Sequence, residues 1–239
     1  IGGALNLQTR PTPTQGQEGG LDLSYGMFNS STLQARYGIG NERMGLLLEG
    51  ARVASDGFKE LDGGGNTGFE KRELMLKAHL ASDPNAEVAH RLDLKLGFTD
   101  ERSNETYLGL TQEDFEATPY RRYAASQLGL MSWWRTQAKL DYSAFIGDSL
   151  DIKLTLYRHD FSRVWEKLDD LAGDVRLTDA LITPNSARNA PLISLLRGER
   201  DSVAGDLNDL LVMGRNDRVY ISQGAQGALT WRARPFGLK

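Results

Sequence analysis

Cysteine is absent from the 239 residues of the chain, which excludes disulfide bonds, thiolate metal sites and cysteine nucleophiles. Histidine is scarce, and His79, His90 and His159 form no HExxH or HxH pattern. Positive charge is not in excess either, because 28 Lys and Arg stand against 32 Asp and Glu, a net charge of −4. That balance removes the electrostatic attraction on which nucleic-acid binding depends, so we expect no nucleic-acid partner.

Long hydrophobic runs are also missing, since no stretch approaches the ~20 apolar residues of a transmembrane helix. The sequence offers no Ser-His-Asp, paired-carboxylate or phosphate-loop pattern, so we expect no catalytic residues, no resident metal ion and no cofactor. Glycine, in contrast, is abundant: the chain has 26 glycines, about one residue in nine, whereas the usual share is ~7%. Together with an apolar content of 40%, this composition leaves a β-rich binding protein or a membrane barrel as the main possibilities.

Apolar and polar residues alternate along most of the chain, and a period of two is typical of β-strands. In the clearest run, 91–99, leucines and Phe98 occupy one register while Arg91, Asp93 and Lys95 occupy the other. The alternating segments are 21–27, 33–39, 73–81, 91–99, 137–146, 150–157 and 225–234, and the less regular 43–54 is interpreted as an eighth strand.

The connections between these segments alternate in length. Those at 40–42, 83–86 and 147–148 are short and a further turn is expected at 235–237, whereas 57–69, 103–132 and 169–216 are long. Transmembrane β-barrels have short turns at one rim and long loops at the other. The pattern therefore predicts an all-β, antiparallel up-and-down transmembrane β-barrel, partial at about eight strands of a larger barrel, with long extracellular loops.

The charged register leaves two interpretations open. In a soluble barrel or sandwich the aliphatic face is buried and the charges of Lys77, Lys95 and Lys139 face water. In a membrane barrel the aliphatic face meets lipid and the charges line a wet lumen. Aromatic residues near the ends of the apolar registers, such as Tyr25, Phe98 and Trp231, suit an interfacial girdle in the second arrangement.

Two segments carry a resemblance to a known family. The opening 2–11 (GGALNLQTRP) resembles the last strand of the plug domain in TonB-dependent outer-membrane receptors, where a GG-x-(I/L/V)-N-(I/L/V)-x-T-(R/K) pattern leads directly into the first barrel strand. The segment 104–126, from NETYLGLT through DF to PYRRYAAS, is similar to a loop of the ferric-dicitrate-like branch of that family.

The resemblance implies a domain organisation and a function. Residues 1–13 would be the last plug strand and linker, and residues 14–239 the N-terminal part of the receptor barrel, so we expect an internal fragment of a larger receptor. Such a receptor lies in the outer membrane of Gram-negative bacteria and imports a ferric chelate, resembling dicitrate or a siderophore. Its energy comes from the TonB-ExbB-ExbD complex through the missing N-terminal part. The alternative is a small eight-stranded β-barrel that binds an apolar ligand or serves as a structural outer-membrane protein.

The long connection 103–132 holds the candidate ligand-binding residues Tyr120, Arg121, Arg122 and Tyr123. Guanidinium groups bind carboxylates through paired hydrogen bonds, and ferric citrate complexes are anionic. The functional interpretation is a loop that contacts this ligand. The structural interpretation is that the arginines pair with Glu113, Asp114 and Glu116 and hold the loop together, and Thr111 is expected to cap a helix three residues before Asp114.

The connection 169–216 is too long to lack structure of its own. It contains an apolar cluster at 192–196 and a second apolar set, 203–211, at helical spacing. One interpretation is a gating or ligand-recognition element over the barrel mouth. The other is a pair of small helices that cover their own apolar faces, with Arg197 and Arg200 in solvent.

Overall fold

The computed structural model describes residues 2–3, 5 and 8–232 of the chain. Eight long strands form one antiparallel sheet in which each strand pairs with the next along the chain. They are β1 (Gly16–Tyr25), β2 (Ser31–Gly40), β3 (Met44–Ser55), β5 (Phe69–Ala81), β6 (Val88–Asn104), β8 (Leu130–Ile146), β9 (Leu150–Leu171) and β10 (Leu211–Trp231). The predicted up-and-down arrangement of eight antiparallel strands is confirmed.

The sheet is open in the part of the chain that the structure describes. β1 pairs with β2, β10 pairs with β9, and the two outer strands do not pair with each other. The expected turn at 235–237 and the last two residues of the predicted strand 225–234 lie outside the described residues. The predicted plug strand falls partly on residues 4, 6 and 7, which also lie outside them.

The short elements all lie in the long connections. They are β4 (Glu60–Leu61), α1 (Gln112–Ala117), β7 (Arg121–Arg122), α2 (Leu177–Ile182), α3 (Ala190–Arg197) and two 3-10 turns, Ala124–Ser126 and Leu207–Asp209. The connections at the opposite edge of the sheet, 41–43, 82–87 and 147–149, are short. No helix within the described ranges combines the length and the apolar character needed to cross a membrane.

One face of the sheet, called here the aliphatic face, carries the apolar register of every long strand. Leu94 on β6 lies opposite Ala78 on β5 and Leu140 on β8, so the apolar positions align across strands. Many of these side chains are exposed: Leu21, Leu23, Leu33, Leu46, Leu48, Leu74, Leu80, Leu154, Leu156, Val219, Ile221 and Leu229. A contiguous exposed surface of this kind marks a site of contact with lipid or protein.

The opposite face, called here the polar face, carries charged and hydroxyl side chains, and the segment before β1 lies across it. This segment, residues 9–13, is called the N-terminal strap. The Nζ of Lys77 donates to the carbonyl oxygen of Arg10 at 2.6 Å. The hydroxyl oxygen of Thr12 lies 2.6 Å from the Nδ1 of His79, and His79 is almost fully buried.

The hydrogen bonds of His79 indicate which ring nitrogen carries the proton when the ring is neutral. Its Nε2 lies 3.1 Å from the carbonyl oxygen of Asn41, which can only accept, so Nε2 donates. In the neutral ring this leaves Nδ1 as the acceptor for the hydroxyl of Thr12. His79, on the polar face, therefore joins the strap to the connection 41–43 by hydrogen bonds.

Glycines on the polar face let the strap approach closely. A Cβ at Gly38 would lie 2.7 Å from the ring of Pro13, and a Cβ at Gly45 would lie 2.6 Å from the carbonyl oxygen of Pro13. Larger residues at these positions would displace the strap. Leu47 on β3 also points to the polar face, and it is fully buried beside Gly38.

Candidate functional site

The long connections 56–68, 105–129 and 172–210 pack together at one edge of the sheet, and we call them the loop cluster. The connections 105–129 and 172–210 share an apolar core with the end of β9, and this core explains why so long a connection as 172–210 has a defined conformation. Its buried members are Leu108, Tyr123, Leu168, Leu171, Val175, Leu177, Ala180, Leu192, Ile193 and Leu196. The cluster is therefore a small folded unit carried by the ends of the strands.

The structure corrects part of the prediction for 169–216. The apolar cluster at 192–196 lies on α3 as expected, but the predicted helix over 203–211 is wrong. Gly205 has a φ of +88°, outside the helical range, and Asp206 instead caps a single 3-10 turn by accepting from the amide of Asn208. Arg200 then pairs with Asp209, so it is not the freely solvated side chain that the sequence suggested.

Asp114 is the central charged residue of the loop cluster. Thr111 caps α1 by accepting from the amide of Asp114 at 3.2 Å, which confirms the predicted cap. The Asp114 carboxylate accepts from the Nη1 of Arg121 at 2.9 Å and from the Nη2 of Arg197 at 2.7 Å. It also accepts from the hydroxyl of Tyr123. One carboxylate thus joins α1, β7 and α3. The prediction that Arg197 lies in solvent is wrong, because Arg197 pairs with Asp114.

The ionisation of this group follows from its surroundings. Burial alone raises the pKa of Asp114, but hydrogen bonds from Tyr123 and Arg197 outweigh burial and hold that pKa below its ordinary value. Burial and the adjacent carboxylate raise the pKa of the Tyr123 phenol. Asp114 is therefore charged, and a neutral phenol and two guanidinium groups surround it. We call Asp114, Arg121, Tyr123 and Arg197 the charged hub.

Arg121 and Arg122 are neighbours on β7 and point to opposite sides, because successive residues of a strand alternate in direction. β7 pairs in parallel with β4, which joins the connection 56–68 to the connection 105–129. Arg121 faces inward, where its Nε lies 2.9 Å from Asp62 as well as reaching Asp114. Among the described residues Arg122 forms no ion pair and donates only to the carbonyl oxygens of Pro119 and Arg121.

A cationic and aromatic patch surrounds Arg122. Tyr120 is 56% exposed, and its ring lies edge-on to that of Phe58 at 5.7 Å between centroids. Lys59 donates to the hydroxyl of Thr106 at 2.7 Å and, like Arg122, forms no ion pair within the part of the chain described. Burial, together with the positive charge of Arg122, lowers the pKa of Lys59. The negative charge of Glu105 acts against this lowering of the Lys59 pKa but forms no ion pair with Lys59. Two cations outside ion pairs, next to exposed aromatic rings, form a surface suited to an anion.

The four residues predicted from the sequence thus divide into two pairs. Tyr120 and Arg122 lie on the outside of the loop cluster, in what we call the anion patch with Phe58 and Lys59. Arg121 and Tyr123 lie inside it, and Arg121 pairs with Asp114 as the structural interpretation proposed. Sequence reasoning missed Phe58 and Lys59 because they lie in a glycine-rich connection without periodicity, brought to β7 by a pairing between distant segments.

A second aromatic group lies on the polar face beneath the loop cluster. The Nζ of Lys167 lies 4.0 Å from the ring centroid of Tyr107, and Tyr107 lies edge-on to Trp165 at 5.3 Å. Arg163 adds a second cation over Trp165. No grouping of three His, Asp or Glu side chains within the described ranges is arranged to hold a metal ion.

Neither a scan against models of known protein families nor searches among curated proteins and solved structures finds a match to this chain.

Proposed function

We propose that the chain forms part of the wall of a TonB-dependent outer-membrane receptor that imports an anionic ferric complex, dicitrate-like or siderophore-like. In this proposal the aliphatic face meets lipid, the polar face lines the lumen and the loop cluster faces the outside of the cell. The strap continues into the plug, and the TonB-ExbB-ExbD complex supplies energy through the N-terminal part of the receptor.

The observation that carries the proposal is the contrast between the two faces of one sheet. Exposed aliphatic side chains of the aliphatic face lie on seven of the eight long strands, from Leu21 on β1 to Leu229 on β10, and on β8 the half-buried Leu140 continues the register. Water penalises such a surface at ~25 cal/mol per Å², whereas a bilayer accepts it. The polar face has the opposite composition and holds the strap through Lys77 and His79, as a lumen wall would hold an entering segment.

The anion patch supports the ligand class. Lys59 and Arg122 can form charge-assisted hydrogen bonds with carboxylate oxygens, and the exposed ring of Tyr120 can cover the ligand. A complex arriving from outside meets this patch before it reaches Tyr107, Trp165 and Lys167 on the polar face below.

The orientation of the sheet is testable with two adjacent spin labels. We expect a label at position 94 to be accessible to lipid-soluble oxygen, and a label at position 95 to be accessible to a water-soluble relaxation agent. Leu94 lies in the middle of the aliphatic face and Lys95 on the other side of the same strand, so the two positions are matched for depth. Measurements use the full-length receptor in bilayers. Oxygen access at 95 in place of 94 would contradict the membrane orientation and favour the small-barrel alternative.

Ligand binding tests the anion patch. We expect Lys59→Gln and Arg122→Gln each to weaken binding of ferric citrate by about tenfold, because each removes a charge-assisted hydrogen bond worth roughly 1.5–3 kcal/mol. Binding is measured by titration of the full-length receptor, with abundance followed by immunoblot.

The control for that experiment is Arg43→Gln, which removes the same charge from the opposite edge of the sheet, where Arg43 pairs with Asp83. Its affinity should equal that of the unchanged protein. Equal affinities for all three variants would show that the patch does not contact ferric citrate.

A further inference from the structure

Three lysines lie side by side on the polar face. Lys95 on β6 is directly opposite Lys77 on β5 and Lys139 on β8, so three positive charges share one row across neighbouring strands. Like charges in this arrangement destabilise a sheet. Lys77 donates to the carbonyl oxygen of Arg10 and Lys139 pairs with Asp141 at 2.8 Å. The middle lysine, Lys95, forms no ion pair and no side-chain hydrogen bond among the described residues.

A groove of about 370 Å³ opens on the polar face beside this row, and both Lys95 and Arg135 on β8 line it. Arg135 is exposed and, like Lys95, has no ion pair and no side-chain hydrogen bond in the part of the chain described. Gln137 lies between the two cations, opposite Gly97. A Cβ at Gly97 would lie 2.4 Å from the Nε2 of Gln137, so glycine at this position makes room for the amide.

The charges that line the groove are three cations and two carboxylates: Arg36, Lys95, Arg135, Glu49 and Glu73. Both carboxylates already have cationic partners that do not line the groove. Glu49 lies 3.6 Å from the guanidinium group of Arg10, and Glu73 lies 2.7 Å from the ammonium group of Lys71. These two carboxylates are therefore not the counter-charges of Lys95 and Arg135.

The third cation is neutralised in the same way, because Arg36 pairs with Asp22 at 3.1 Å. With these partners included, five cations stand against three carboxylates, and the two charges left over are those of Lys95 and Arg135. The carboxylates on the other side of the lysine row are also paired: Asp93 with Arg91 at 2.7 Å, and Asp141 with Lys139.

The strap supplies no counter-charge to this groove. Thr9, at the start of the strap, lines the groove. The residues that precede it, 1–8, have the sequence IGGALNLQ, which contains no acidic side chain. The two unpaired cations thus face a cavity that an anion from solution can enter.

We infer that this groove binds a soluble polycarboxylate. Arg135 donates paired hydrogen bonds to one carboxylate, and the ammonium group of Lys95 binds a second. The amide of Gln137, between the two cations, donates to an oxygen in the middle of the ligand. Two cations held apart in this way favour a ligand with two carboxylates over one with a single charge. The choice of carboxylate as the ligand class rests on the proposed function, for which the groove would be an inner site beyond the anion patch.

Titration of the full-length protein with citrate tests the inference, with Lys59→Gln and Arg122→Gln present throughout so that the anion patch does not contribute. In this background we expect Lys95→Gln and Arg135→Gln each to weaken citrate binding by about tenfold, the effect of one charge-assisted hydrogen bond. Neither replacement leaves a carboxylate without a partner. Because Lys95→Gln also removes a like charge from the lysine row, the free energy of unfolding should stay equal or rise.

Lys153→Gln is the matched control. Lys153 lies on the polar face of β9, opposite Ser143, does not line the groove and has no ion pair within the described ranges. Its replacement should leave citrate affinity unchanged. An equal loss in this control, or no binding of citrate, would overturn the inference, and inorganic phosphate binding as tightly as citrate would overturn the polycarboxylate class.

Two further results would assign the cations differently or separate the two proposals. Unchanged citrate affinity in Lys95→Gln and Arg135→Gln, together with faster proteolysis of the strap, would refute the site and assign both cations to a carboxylate of the protein. Failure of the proposed function alone has another signature. Ferric citrate affinity would then be unchanged in the single variants Lys59→Gln and Arg122→Gln, while citrate binding would still depend on Lys95 and Arg135.

Discussion

Replacing Asp114 by alanine is expected to destabilise the loop cluster, lowering its local free energy of unfolding by about 3–5 kcal/mol. The side chain of Asp114 is only 10% exposed, and its removal leaves Arg121 and Arg197 without the carboxylate that they share. Arg121 would keep its pair with Asp62, whereas Arg197 would keep only the longer contact with Glu199 at 3.8 Å. Amide hydrogen exchange of α1 and α3 in the full-length protein measures the effect, because both helices are joined through this residue.

Glu116→Ala provides the control for that variant. Glu116 lies on the same helix and accepts one hydrogen bond from Gln112 at 2.6 Å, but it forms no ion pair among the described residues. We expect its exchange rates to match those of the unchanged protein. If α3 remained protected in Asp114→Ala, the charged hub would not be needed to hold the connections together. The apolar core of the cluster would then be sufficient.

The same hub gives the loop cluster a pH dependence with a definite sign. Since hydrogen bonds hold the folded-state pKa of Asp114 below its ordinary value, its stabilisation is complete above the unfolded pKa of ~3.9. It is lost as the pH falls through the lower folded value. The protection factors of the α3 amides, which correct for the slower intrinsic exchange in acid, should therefore fall on acidification below about pH 4, and Asp114→Asn should show a smaller fall than the unchanged protein.

The second large effect is expected at the centre of the aliphatic face. Leu94→Arg should cost ~2–4 kcal/mol of stability in a bilayer if Leu94 lies near the midplane, because the guanidinium group would be placed in hydrocarbon. Leu94 suits this test because Ala78 and Leu140 flank it on the neighbouring strands, which leaves no polar partner for the new side chain. The free energy of unfolding is measured by denaturant titration of the protein in bilayers.

Lys95→Arg places the same residue type one position along β6 and on the polar face. We expect it to change the free energy of unfolding very little, since a cation already occupies that site. A similar cost for both variants would mean that the strand tolerates arginine equally on its two faces, and the proposed lipid contact would be wrong.

The strands were predictable from sequence because their central parts bury or expose one register consistently. Each of the eight alternating segments overlaps one long strand in the described residues, yet several strands extend further, as β6 does from Val88 to Asn104 against a predicted 91–99. Beyond the aliphatic face both registers become polar, as at Asp100 and Glu101, so periodicity disappears while backbone pairing continues. Hydrogen bonding between strands does not depend on side-chain alternation, and the sequence carries little trace of it.

The loop cluster was predictable only where its contacts are local. The Thr111 cap and the pair between Asp114 and Arg121 involve residues within a few turns of chain. The partners Asp62 and Arg197 lie 59 residues from Arg121 and 83 residues from Asp114, and no spacing rule connects them. For the same reason the direction of Arg122, which depends on pairing with β4, was not evident from the sequence.

The N-terminal strap has a mechanical consequence. Its attachments follow one another along the chain: first Arg10 at Lys77, then Thr12 at His79, and last Pro13 over Gly38 and Gly45. A tensile load applied from the N-terminal side would therefore break them one at a time, so that the strap would leave the sheet at a lower force than if all of them broke together. The last step would uncover Leu47, and exposing one leucine costs ~1.5–3 kcal/mol. Because reburial of Leu47 recovers this free energy, we expect the strap to return to the same position when the load is released.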